Sequence, residues 1–162
     1  MNTVVRISML LLSLVSLVGC QATMIPVHNL YNQHVPGNLS QNSIQNAIKS
    51  GANSAGWQVS DVTDNQMLAT YNIRSHTVIV SIGYAADGYS ILYKNSNHMK
   101  VKCGTRPNMS ATPNVTSGLD ACPGGTTPTY IHVNYKEWIE QLNAKIGAAL
   151  KSACYTDNQC RS

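Results

Sequence analysis

Lys94, Asn95, Ser96 and Asn97 follow one another directly, and His132, Asn134 and Tyr135 stand together further along the chain. If the fold brings the two segments together, an ammonium, amides, a hydroxyl and an imidazole would converge beside a helix entrance. Free N–H groups at such an entrance favour anions, so the chemistry that Lys94, Asn95, Ser96, Asn97 and His132 could do there is anion binding. The plainer reading is that Ser96, Asn97 and His132 satisfy turn and cap hydrogen bonds. Lys94, Lys100, Lys102 and Arg106 form a basic run without an intervening acid. It could meet phosphates or an acidic polymer, or it could discourage a sheet edge from pairing.

Catalytic patterns are missing. There is no GxSxG, no HExxH and no closely spaced pair of carboxylates, and the two glutamates are Glu137 and Glu140. Glu137 is expected to cap a helix and Glu140 to lie on its polar side, so the expectation is a chain without catalytic residues. Eight Tyr and two Trp with no Phe mean that every large ring carries a polar handle. Such rings could line a sugar groove, but Tyr135 and Trp138 fall on an apolar stripe where packing is expected. A formal net charge of +4 is too mild to argue nucleic-acid binding.

The N-terminus carries an address. Met1 to Arg6 holds one basic side chain, and Ile7 to Val18 is an uncharged, largely apolar run, too short to span a bilayer. It ends in Leu17-Val18-Gly19-Cys20, which resembles the lipobox of bacterial lipoproteins. That resemblance implies a signal peptide over 1–19, removed so that an acylated Cys20 becomes the mature N-terminus. Gln21 in place of Asp after the cysteine implies the outer membrane, with the domain facing the periplasm. More than one acyl chain on Cys20 would make the anchoring stable.

Cys103, Cys122, Cys154 and Cys160 remain, an even number in a chain sent to an oxidising compartment. Four cysteines allow three connectivities. The local pairs Cys103 with Cys122 and Cys154 with Cys160 are favoured by proximity. Chain entropy assigns them about 3 and about 2 kcal/mol. A zinc site is the rival, but there is no CxxC pair and no metal is expected.

These groups need elements to position them. Residues 20–38 read as the lipidated cysteine and a tether, with a single domain over 39–162. Ser40 can cap a helix bearing Ile44, Ala47, Ile48 and Ala52 at 3.6-residue spacing, with Leu39 and Ile44 as a staple and Gly51 or Gly56 as the end. From Trp57 to Tyr93 the period is two. Four strands are predicted, over 57–62, 67–73, 77–84 and 89–93, and their short connections require an antiparallel meander. Residues 103–129 hold four Pro and four Gly and read as a disulfide-clamped excursion. Asn134 then caps a long helix with Glu137 as its capping-box partner and Val133 and Trp138 as a staple. The helix stripe is Tyr135, Trp138, Ile139, Leu142, Ile146, Ala149, Leu150 and Ala153. The expected class is α+β, an α-β-β-β-β-α layer pair in which an N-terminal and a long C-terminal helix cover the meander.

Two segments, Tyr89 to Asn97 and Ile131 to Ile139, are similar to a group of small, largely uncharacterised bacterial envelope lipoproteins. In that group a strand ends in Tyr and a Ser-x-Asn turn, the Tyr-x-x-Ser-x-Asn pattern, followed by Ile-His-x-x-Tyr and a Trp on the last helix. Here residues 103–122 separate the two segments, which the group keeps close together. The resemblance implies a fold and an address and no reaction. The functional expectation is therefore a non-catalytic envelope lipoprotein, a binding or assembly accessory at the outer membrane. It would be held to the membrane through Cys20, use no cofactor and engage an envelope protein or polymer. The alternative is a lipoprotein inhibitor of an exogenous enzyme such as lysozyme.

Overall fold

The apolar alternation that begins at Met67 becomes a sheet because every second side chain has the same layer to enter. Met67 and Ala69, then Val78, Val80 and Ile82, then Tyr89, Ile91 and Tyr93 are buried, while their neighbours are not. The computed structural model describes residues 24–103, 122 and 130–160. The expected signal peptide, Cys20, Gln21, Arg106 and nearly all of the expected excursion lie outside the described residues. In chain order the elements are β1 (Met24–Pro26), β2 (Leu30–His34), α1 (Gln41–Ser54), β3 (Gln58–Ser60), β4 (Gln66–Ile73), β5 (His76–Tyr84), β6 (Gly88–Asn97), β7 (Val101–Lys102), β8 (Tyr130–His132) and α2 (Asn134–Thr156).

The class is α+β, and β3 to β6 form the antiparallel meander expected between two helices. The main sheet has the order β2-β6-β5-β4-β3, and a smaller sheet has the order β1-β8-β7. Residues 24–34, expected as part of a tether, instead supply β1 and β2. β1 is only three residues long and β2 is mostly polar. Asn29 Oδ1 accepts a hydrogen bond from the Tyr93 N–H at 2.8 Å, and the Asn32 N–H donates to Ser90 Oγ at 3.1 Å, so amides and hydroxyls fix β2 where a period-two search looks for apolar residues.

Ser40 caps α1 as its sequence predicts, its Oγ accepting from the Ser43 N–H at 3.1 Å. Gly56, at φ +82°, follows the helix end, whereas Gly51 lies buried inside α1. A Cβ on Gly51 would stand 2.6 Å from the Cα of Ile146, so the missing side chain is what lets α1 and α2 cross. The α2 entrance differs from expectation. Asn134 is already helical, the cap position is Val133, and no side-chain cap from it forms. The Asn134 N–H donates to Nδ1 of His132 at 3.3 Å, so an imidazole does the work assigned to the Asn134 and Glu137 box. Glu137 keeps only a favourable place in the first turn, near the positive end of the helix dipole.

The helix stripe buries Tyr135, Ile139, Leu142, Ile146 and Leu150 completely, while Trp138, Ala149 and Ala153 are only partly covered. Fully covering one such aliphatic side chain contributes about 1.5–3 kcal/mol, so the seam between α2, α1 and the sheet is the main source of stability. Both local disulfides form. Cys103 pairs with Cys122 at a Cα separation of 5.5 Å, and Cys154 pairs with Cys160 at 5.3 Å.

Candidate functional site

The predicted turn Lys94 to Asn97 is strand, and its irregularity lies in pairing. Val80 faces Tyr93 but Ile79 faces Asn95, so Lys94 is an extra residue in β6, a β-bulge. In a regular strand, an inward Tyr93 would make Asn95 the next inward residue. The bulge makes it Ser96, which is 2 % exposed and whose Oγ lies 2.9 Å from the Tyr93 hydroxyl. Asn95 Oδ1 accepts from the Ser96 N–H at 2.8 Å, and Lys94 is exposed. The Asn97 Oδ1 is buried and has no hydrogen-bond partner among the described residues. The expected cluster is therefore dispersed: none of Lys94, Asn95, Ser96 or Asn97 borders the cavity that His132 borders.

That cavity, about 220 Å³, opens where the sheet ends near the entrance of α2. His76, His98, Met99, Lys100, His132, Asn134 and Trp138 line it. The bulge re-aims the end of β6. With Thr77 opposite Asn97, one further step places His98 beside His76. His98 and Lys100 have left-handed backbones, φ +60° and +51°, and Arg74 in the adjoining β4–β5 turn has φ +53°. Each such non-glycine residue costs about 1–2 kcal/mol, and strain of this kind concentrates where a chain must aim particular side chains.

Two imidazoles hold this wall together. Nδ1 of His76 lies 2.8 Å from the His98 carbonyl oxygen, and Nδ1 of His98 lies 3.0 Å from that of Ser75. A carbonyl only accepts, so both Nδ1 atoms carry the proton, and in the neutral ring each Nε2 is a bare acceptor. His132 is the reverse. Its Nδ1 accepts from Asn134, which leaves Nε2–H as a donor. The cavity thus borders two acceptor rings, one donor ring and the ammonium of Lys100. Its aromatic wall is backed by a ladder: Trp138 meets Tyr71 at 5.3 Å between ring centroids, and Tyr71 stacks on buried Trp57 at 5.1 Å.

Among the described residues, no carboxylate, hydroxyl or thiol borders the cavity. Tyr89 donates to Asn143 Oδ1 at 2.6 Å, and burial pushes its phenol up to about 12. Tyr135, fully buried, is pushed up by desolvation first and by Tyr93 and Tyr31 next. Both stay protonated at neutral pH. Glu140 lies on the polar side of α2 as expected, 3.6 Å from the Lys136 ammonium. Among the described residues no group of three or more His, Cys, Asp or Glu is arranged to hold a metal ion, and no helix is long and apolar enough to cross a membrane. Two further hollows, near Asp87 at the β5–β6 turn and along Ser43, Ser50 and Ser152 between the helices, bring no cation to their walls.

Of the residues singled out from sequence, His132 and Asn134 stand at this cavity, joined by Lys100 from the basic run and by Trp138 from the stripe. His76 and His98 were missed. The signal that could have found them is hairpin register, which sets the two facing each other once the bulge is counted. No family model matches the chain, and neither a curated protein nor a solved structure does.

Proposed function

We propose that this chain is a non-catalytic lipoprotein of the bacterial envelope, anchored through Cys20 at the outer membrane, where it serves as a binding accessory. The observation that carries the binding role is the convergence of His76, His98, His132, Lys100 and Trp138 around one cavity whose wall is built on left-handed backbone. The anchor is supported by the Leu17 to Cys20 signature, and an oxidising compartment by the two disulfides.

Two measurements test the proposal. Metabolic labelling with a fatty acid should mark the wild type and leave Cys20→Ala unlabelled. Equal labelling of the variant removes the anchor. Crosslinking in intact cells should recover bound material from the wild type and lose it from the double variant His132→Gln, Lys100→Asn. Unchanged recovery from a folded double variant moves the site elsewhere.

A further inference from the structure

We infer that the cavity between His76, His98, Lys100, His132 and Trp138 takes the anionic, hydroxyl-bearing headgroup of a lipid in the same leaflet that holds the acyl anchor. The inference rests on the anchor at Cys20 and adds what the site binds. Its first support is topological. β1 pairs with β8 so that Met24 stands directly opposite His132. Met24 is the fourth residue after Cys20, and even a fully extended chain advances only about 3.3–3.6 Å per residue. Paired Cα atoms of an antiparallel ladder are about 5 Å apart. His132 therefore lies no further than about 20 Å from the lipid-bearing Cα, whatever path the intervening chain takes. The strand nearest the anchor is hydrogen-bonded to a wall of the cavity.

The second support is size. At about 220 Å³ the cavity is below the range of about 300–1,000 Å³ usual for drug-sized ligands, which suits a single headgroup. Chemistry is the third. Lys100 is a cation with no acid among the residues that share the cavity, so it suits a phosphate. The Nε2 acceptors of His76 and His98 need donors, which alcohol groups supply, while His132 Nε2–H and Lys100 donate to phosphate oxygens. Trp138 adds an amphipathic ring of the kind that settles at headgroup depth. A glycerol phosphate satisfies all of these together.

The test uses the full lipidated protein in vesicles of phosphatidylcholine containing a trace of phosphatidylglycerol with a photoreactive group on its headgroup. Irradiation should label peptides containing His98 to Lys100 and His132, and photoreactive phosphatidylcholine should not. Lys100→Asn, which keeps a residue tolerant of left-handed backbone, combined with His132→Gln should reduce labelling at least about fivefold. Lys151→Ala, on an exposed part of α2, should leave it unchanged. Equal labelling by both lipids, or an equal loss with Lys151→Ala, would reduce the effect to diffuse surface attraction and overturn the inference. Competition by soluble glycerol phosphate as effective as that by vesicles would assign the site to a free phosphate ester instead and also overturn it. Mass spectrometry of the same preparation reads acylation of Cys20 separately, so a failed anchor and a failed headgroup site give different results.

Discussion

The hydroxyls of Tyr93 and Ser96 lie 2.9 Å apart inside the core because Lys94, between them, has no counterpart on β5. A single inserted residue changes which side chains of the last third of β6 are buried, so that Ser96 enters the core and Asn95 does not. Lys94→Ala, which keeps the bulge, should alter stability by no more than about 0.5 kcal/mol. Inserting one alanine between Ile79 and Val80 gives Lys94 a counterpart, restores a regular register, turns Val78 and Ser96 outward and should remove cooperative unfolding. Urea denaturation of both variants checks the contrast.

Gly51 and Gly147 occupy the two helices yet should respond oppositely to the same change. A methyl on Gly51 meets the backbone of Ile146 at 2.6 Å, whereas one on Gly147 meets nothing within 4 Å. Gly51→Ala is expected to cost about 1–3 kcal/mol by forcing the helices apart. Gly147→Ala should gain about 0.5–1 kcal/mol from helix propensity. Thermal melting of the two variants reads the difference in sign.

Trp57 and Trp138 end the same aromatic ladder but do different work. Trp57 is 2 % exposed, and Trp57→Ala should cost about 3–5 kcal/mol. Trp138, partly covered and bordering the cavity, should cost only about 1–2 kcal/mol when truncated. Denaturation midpoints that rank the two the other way would place the main core under the α2 entrance.

Stability should fall at alkaline pH. Burial raises the Tyr89 phenol from 10.0 to about 12, so the folded protein keeps a proton that the unfolded chain releases. The unfolded state binds fewer protons in that window, so stability is fully present below pH 10 and is lost as pH rises from about 10 toward about 12. Tyr135 is shifted in the same direction and adds to the slope. Melting temperatures across pH 8 to 12 should be flat at first and then decline.

Replacing the same two phenols by Phe should separate a satisfied hydroxyl from an unsatisfied one. The Tyr89 hydroxyl donates to Asn143 Oδ1, so Tyr89→Phe should cost about 1 kcal/mol at neutral pH. The Tyr135 hydroxyl is buried without a hydrogen-bond partner among the described residues, so Tyr135→Phe should be neutral or stabilising by about 1 kcal/mol. Both variants should flatten the alkaline decline.

The parts of the fold legible in the sequence were those with a hydrophobic period. Val78, Val80 and Ile82 announced β5, Ser40 with Ile44 and Ile48 announced α1, and the α2 stripe from Ile139 to Leu150 was readable because both faces of its groove are apolar. β1 and β2 were not readable because pairing with β8 and β6, and bonds from Asn29 and Asn32, hold them where their own side chains carry no alternation. The candidate site was half legible. His132 and the basic Lys100 could be picked out by type, but Lys94 to Asn97 were misread as a turn, since a bulge leaves no mark in composition. His76 and His98 are far apart in sequence and meet only through β-register, which one residue shifts.

Both outer strands of the main sheet are poor templates for another chain. β3 is three residues long, and β2 breaks register between Leu30 and Gln33 with Asn32 at φ +50°. A lipid anchor would confine copies of this domain to a plane, where edges collide far more often than in free solution. Long regular edges would then zip into ribbons by adding strand to strand. On such a surface the interrupted edges of β2 and β3 would offer a neighbouring copy little regular strand to extend.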